Sequence, residues 1–187
     1  INAPKQYIRM DQYQEKRGFY AFDSIICKED IAFVTDAGTP GISDPGAMLV
    51  DYCYQCNITV QCLPGVSSIT TFLSGAGFLM NSFYFFGFFP RKDGERYRLL
   101  KFLIQYNLNG VWFESPKRVL GLVKWLAHNH PSLQIVLAKD LTKKYEQYFR
   151  GSAHEVYIEL NSVDCRGEWI GCINGSSVDD VMLDLTQ

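Results

Sequence analysis

The 187-residue chain has no excess of positive charge: 18 Lys and Arg stand against 20 Asp and Glu, a net charge of −2. Such a balance gives no overall attraction to phosphate, so a nucleic-acid partner would have to be held by a local basic face. No run of about 18 apolar residues occurs, which excludes a membrane-spanning helix. No cationic-apolar leader is seen either, and the expectation is a cytoplasmic protein with no membrane partner. Histidine is scarce, and the three present (His128, His130, His154) are too scattered for a metal centre, so no metal site is expected. P-loop, G-x-S-x-G and H-E-x-x-H strings are absent, and a serine or cysteine nucleophile finds no credible base. Internal repeats and low-complexity segments are missing as well. The first residue is Ile1 rather than Met, from which we expect a piece of a longer protein.

The six cysteines (Cys27, Cys53, Cys56, Cys62, Cys165, Cys172) lie mostly inside apolar runs rather than at framework spacings, which predicts buried thiols. Cys53 and Cys56 spell C-x-x-C, but with no second pair or nearby His the reading is core packing.

What is present is a large apolar fraction, 47% hydrophobic and 14% aromatic, ample for a buried core. The sequence is organised around residues 31–46, IAFVTDAGTPGISDPG. A β-rich apolar run ends at Thr35 and Asp36 and breaks into Gly38, Pro40, Gly41, Pro45 and Gly46, the pattern of a buried strand emptying into a loop at its carboxyl end. In open α/β sheets ligands sit at such strand ends. Around this stretch the periodicity predicts a short strand at 6–9, a helix over 13–30, the strand 31–36, a helix over 44–56 with Pro45 in its first turn, and a strand at 58–62. A helix starting at Ser67 or Ser68 and running to Gly77 follows. This alternation is that of a parallel sheet with crossovers.

At Phe83 the texture changes to FYFFGFFP, and a domain boundary is expected near 80–82. Beyond it come a helix from about Arg91 to Tyr106, a strand 110–114, a helix 116–128, strands 134–141 and 145–150, a short helix 153–160 and a strand 168–174. The expected layout is an incomplete N-terminal α/β domain with a parallel sheet at 1–81, a mixed-sheet α/β domain at 82–175 and a tail at 176–187.

Four loops follow predicted strand ends: Asp36 to Pro40, Pro64 to Ser68, Glu114 to Pro116 and Asp140 to Glu146. An acid in such a loop suits a ribose or an amine, and serines at a helix start suit a carboxylate. Positive charge gathers at Arg91, Lys92, Arg96, Arg98 and Lys101, at Lys117 and Arg118, and at Lys143, Lys144 and Arg150. Each cluster alone reads as a solvated face. Together, after strand ends, they could form one basic rim for phosphates.

Beyond generic α/β, the strings VTDAGTPGISDPG, LPGVSSITTFLSGAGF, FFGFFPRK, FESP, KDLTKKYE and RGE resemble, in order and spacing, the ribosomal RNA small subunit methyltransferase I family of the tetrapyrrole methylase superfamily. The resemblance runs from about Ile1 to Asn174. It implies two α/β domains with S-adenosylmethionine in the cleft between them, homodimers, and methylation of the ribose 2′-hydroxyl of a cytidine in small-subunit ribosomal RNA. Carried over, the cofactor contacts are Asp36, Ala37, Thr39, Ser67, Ser68, Phe113, Glu114 and the main chain near Leu141. The basic rim, with Arg91, Lys92, Arg96, Lys117, Arg118 and Lys144, becomes the RNA side. The proton that leaves the hydroxyl needs an acceptor, for which the candidates are Glu114, Lys143 and Glu146.

The family opens with a strand, a T-P-I-G-N-like loop and an E-D-T-R-like strand end that are not found here, so the chain is expected to start some two strands into the first domain. Two other readings compete: a methyltransferase for a tetrapyrrole or other small substrate, whose Gly-Asp-Pro string this chain does not carry at 36–40, and a truncated dimeric domain that no longer catalyses.

Overall fold

The computed structural model describes residues 7–11, 18–19 and 23–177. The chain divides into two compact units, Ile1–Ser67 and Ser68–Gln187.

The second unit is built on a five-stranded mixed sheet: β1 (Phe83–Phe88), β2 (Asn109–Glu114), β3 (Gln134–Lys139), β4 (Gln147–Ser152) and β5 (Trp169–Ile173), in the order β1-β2-β5-β3-β4. Only β1 and β2 are parallel; β5 runs antiparallel to both β2 and β3, and β4 antiparallel to β3. The sheet is apolar on both faces, as a sheet covered on both sides must be. Along β3, Ile135 and Leu137 enter one core with Trp112, Trp169 and Ile173, while Val136 and Ala138 enter the other with Val111, Ile170 and Cys172. Gly171 sits on the first face because Trp112 leaves no room: a Cβ there would meet the indole ring, and Leu137 lies beside it.

The first core is closed by α4 (Asp93–Gln105), α5 (Val119–Asn129) and α6 (Ala153–Leu160). Each helix begins and ends near where its sequence places it. In α6 the reason is explicit: Ser152 accepts from the Glu155 N–H while Glu155 accepts from the Ser152 N–H, a complete capping box. The second core is closed by α3 (Ser68–Ala76), whose Ile69, Phe72 and Ala76 pack against the β2, β3 and β5 side chains. Sequence grouped this helix with the first domain; its apolar face belongs to the second unit's sheet, which shifts the division to residue 67/68.

The first unit departs further from expectation. Among its described residues the helices are α1 (Asp23–Ile26) and α2 (Ala47–Gln55). Phe19, Ile26, Leu49 and Cys53 form its small core. Among its described residues no strand forms. The expected parallel sheet is not seen among the described residues: 31–36 and 58–62 are irregular chain, with Val34 77% exposed. A strand needs a neighbouring ladder to satisfy its N–H and C=O groups, and none of the described residues supplies one to either run. Residues 7–9 are irregular too; position 6 of that expected strand lies outside the described residues. Of the long helix expected over 13–30, the described residues show α1, and Gly18 adopts φ 86°; residues 12–17 and 20–22 lie outside the described residues. Pro45 precedes α2 rather than opening it. Of the tail, a 3-10 turn spans Gly175–Ser177, and 178–187 lie outside the described residues.

The expectation of buried thiols holds for Cys53 and Cys172 only: Cys27, Cys56 and Cys62 are exposed and Cys165 is half-buried. The exposed three lie in or beside the first unit's irregular segments, where little is packed over them. Burial pushes the Cys172 thiol up to about 12, that of an inert core group.

Candidate active-site loops

In the first unit the structure brings two of the four predicted loops together. Thr39 donates from its N–H to the Val66 carbonyl at 2.9 Å, and its hydroxyl reaches the same oxygen at 3.2 Å. The Thr35 hydroxyl donates to the Gly38 carbonyl at 2.8 Å and tightens the first loop. Asp36 and Ala37 stay exposed on this loop. Ser67 is half-buried at the end of the unit, and Ser68 opens α3, where a helix start presents main-chain N–H groups. In kind, these residues fit a group that carries a ribose diol, an ammonium and a carboxylate: acceptors at Asp36, hydroxyls at Thr39 and Ser67, N–H donors at Ser68.

In the second unit β1, β2 and β3 all end at the same edge of the sheet, because β5, which separates β2 from β3, is antiparallel to each. Glu114 and Lys139 both face Trp169 across β5, so the loops after β2 and β3 leave about 10 Å apart, two strand spacings. Phe113 and Leu141, half-buried, pack against the second core there.

The three proton-acceptor candidates meet different fates. The Glu114 side chain is fully sealed from solvent. Its Oε1 accepts from the Ser115 N–H at 2.8 Å and forms an ion pair with Arg118 Nε at 3.3 Å, while Oε2 is buried with no hydrogen-bond partner among the described residues. Burial raises its pKa against the opposing pull of the Ser115 N–H and of Arg118, Arg96 and Arg91. A carboxylate so enclosed holds Arg118 in position; it does not face a substrate. Lys143 lies 2.8 Å from Glu168 and 3.4 Å from Asp140, and the bond to Glu168 above all raises its pKa, so it stays an ammonium and is unsuited to accept a proton. Glu146 is exposed and accepts from the Thr142 N–H at the mouth of the loop. Backbone strain gathers in this loop, with Asp140 at φ 50° and the β-branched Thr142 at φ 65°.

The basic residues divide likewise. Arg91 and Lys92 follow β1, Lys117 and Arg118 follow β2, and Lys143 and Lys144 follow β3, all at one sheet edge. Arg96 does not belong with them: it turns back to donate to the Pro90 carbonyl at 3.0 Å, pairs with Asp93 at 3.2 Å and stacks over Trp125. Arg150 is mid-strand and donates to the Gly77 carbonyl at the end of α3. Arg91, Lys92 and Arg118 line one pocket of about 530 Å³ together with Phe88, Phe89, Pro90, Glu95 and Ser115. Sequence reasoning missed Phe88 and Ser115. The signal for Phe88 was a glycine inside a strand-like aromatic run, which marks a bulge.

A mixed sheet covered on both faces, with basic loops at the ends of β1, β2 and β3, defines an α/β domain. Residues 7–157 match the model of the Tetrapyrrole (Corrin/Porphyrin) Methylases. The chain belongs to that family. It is similar to the ribosomal RNA small subunit methyltransferase I of Hydrogenobaculum sp., with 40% identity over 132 residues, 71% of this chain and 57% of that protein. To the protein of the same name from Campylobacter fetus it is 32% identical over 180 residues, 94% of this chain and 65% of that one. The chain thus spans about three fifths of the length of these relatives. Among solved structures it shares its fold with the methyltransferase CobJ (TM-score 0.64, 14% identity, 93% of this chain and 78% of that one) and with a diphthine synthase (TM-score 0.70, 8% identity, 92% and 70%). No helix among the described residues is long and apolar enough to cross a membrane.

Proposed function

We propose that this chain is the greater part of an S-adenosylmethionine-dependent methyltransferase that modifies the ribose 2′-hydroxyl of a cytidine in small-subunit ribosomal RNA, working as a homodimer in the cytoplasm. The observation that carries this reading is the 30–40% identity to proteins named for that RNA, over as much as 94% of the chain. S-adenosylmethionine supplies a methyl group made electrophilic by its sulfonium. For the chain's own residues, Asp36 accepts from hydroxyls or an ammonium, Ala37 offers main chain and Thr39 its hydroxyl oxygen, and Ser67 and Ser68 meet a carboxylate. Phe113 and Leu141 give apolar contact, and Glu114 acts indirectly by holding Arg118 and the Ser115 main chain. As the ribose oxygen gains the methyl it gives up a proton, and Glu146, the one exposed carboxylate among the three candidates, takes it.

The experiment is transfer of labelled methyl from S-adenosylmethionine to small-subunit RNA from cells lacking the modification. Label on a cytidine 2′-oxygen, lost in Asp36→Ala and reduced at least tenfold in Glu146→Gln, is the expected result. Label on a porphyrinoid instead of RNA would move the substrate to the tetrapyrrole class. Calorimetric titration without heat at millimolar cofactor would leave a binding domain without catalysis.

A further inference from the structure

The strand β1 is interrupted in a way that singles out Phe88. Phe85 pairs with Val111 and Phe88 with Phe113, so three steps along β1 match two along β2, and Gly87 takes φ 74° at the irregularity. This is a bulge, a device that re-aims side chains. Simple alternation from Phe86, which packs on the first core, would send Phe88 into that core; the bulge instead delivers Phe89 there, 1% exposed, and turns Phe88 out, 55% exposed. An outward Phe costs burial, yet here it lines the pocket of about 530 Å³ that also holds Arg91, Lys92, Ser115 and Arg118.

The charge in this pocket is lopsided. Arg91 has no ion-pair or hydrogen-bond partner among the described residues, and Lys92 meets only Glu95, at 4.0 Å. Arg118 is fixed from behind: it donates to the Phe89 carbonyl and pairs with the sealed Glu114 carboxylate, and its side chain is 24% exposed. Three cations and a serine hydroxyl against one rim carboxylate make a site for an anion with several acceptor oxygens. A cationic wall beside an exposed aromatic ring is the combination that holds a phosphate and stacks its base.

We propose that this pocket is a nucleotide clamp for single-stranded RNA: Arg91, Lys92 and Arg118 take a backbone phosphate while a base stacks on Phe88. The clamp rests on the RNA reading above and adds to it the residues that hold one unpaired nucleotide. Ser115 donates its hydroxyl to the same phosphate. Glu114 is a positioning residue, since it touches Arg118 rather than the ligand.

The test is anisotropy of a labelled single-stranded RNA dodecamer titrated with the full chain across a salt series, with inorganic phosphate as competitor. Arg91→Ala is expected to weaken binding about tenfold and to lower the salt slope by about one. Phe88→Leu is expected to weaken binding about tenfold with the slope unchanged, because stacking releases no counterions. Lys124→Ala, exposed on α5 and outside the basic clusters, is the control and should bind as the parent does. Wild-type binding that survives both Arg91→Ala and Phe88→Leu overturns the clamp and leaves the RNA reading standing. Equal losses and equal slope changes in all three variants overturn it too, reducing the contact to general charge. A parent chain that binds no RNA even at the lowest salt of the series removes the RNA reading and the clamp with it.

Discussion

Residues 31–36 (IAFVTD) and β3 (QIVLAK) carry much the same strand-forming composition, and they end differently. β3 is paired on both sides, by β4 and β5, and is buried along nearly its whole length. Residues 31–36 pair with nothing among the described residues and are largely exposed. β-propensity describes fitness for a pleated, half-buried surface, and such a surface exists only when neighbours build it. The same contrast separates the two units: one rests on two apolar layers around a sheet, the other on Phe19, Ile26, Leu49 and Cys53.

The most direct way to break this contrast is amide hydrogen exchange. The N–H groups of residues 135–138 and 170–172 should exchange at least about 10³-fold more slowly than those of 32–36, since core strands open only on global unfolding and unpaired chain does not need to open. Comparable protection at 32–36 would mean that a ladder partner exists for that run.

Mutation sharpens it next. All three tryptophans, Trp112, Trp125 and Trp169, lie in the second unit, so their fluorescence in a urea titration follows that unit alone. Trp112→Ala, which empties the centre of the first core, should lower its stability by about 3–5 kcal/mol. Leu49→Ala, in the first unit, should leave the same transition within about 0.5 kcal/mol of the parent. A large shift from Leu49→Ala would show the two units unfolding together.

A smaller effect tests the enclosed carboxylate. Because burial raises the Glu114 pKa in the folded chain, the folded state holds this proton when the unfolded chain, at about 4.5, has released it. The stability of the second unit should therefore fall as pH rises from about 4.5 through the group's higher folded value, and Glu114→Gln should flatten that limb. Asp164 has the opposite sign: Arg166 holds it at about 2 from its ordinary 3.8, so its contribution is present above 3.8 and is lost as pH falls through about 2. Asp164→Asn removes only this acid limb.

The smallest expected change is at the capping box. Ser152→Ala should cost about 1 kcal/mol, measured by the same fluorescence transition, while Thr35→Ala in the first unit should leave that transition unmoved.

Where local pattern and tertiary surroundings agree, the elements were legible. The helix over 153–160 is signalled by its capping box, β5 and β3 by apolar runs bounded with polar residues, α5 by an apolar stripe after Pro116. Glu146, Arg91, Lys92 and Arg118 were placed near strand ends by order alone, and they lie there. Arg96 was not legible as structural: its bond to Pro90 and its stacking on Trp125, 29 residues away in sequence, arise only from folding. Glu114 read as an acid in a loop because sequence cannot distinguish a carboxylate facing solvent from one sealed behind an arginine.

Sequence alone determined which segments of the second unit are helix or strand, β1 excepted, since periodicity and caps act within a few residues, and it identified the family through motifs whose spacing survives divergence. The tertiary structure decided what depends on partners distant in the chain: that residues 31–36 have no ladder, that α3 lies on the sheet of the second unit, that Lys143 is held as an ammonium, and that a single bulge turns Phe88 outward beside three cations. Pairing, burial and charge are properties of neighbours, and folding chooses the neighbours.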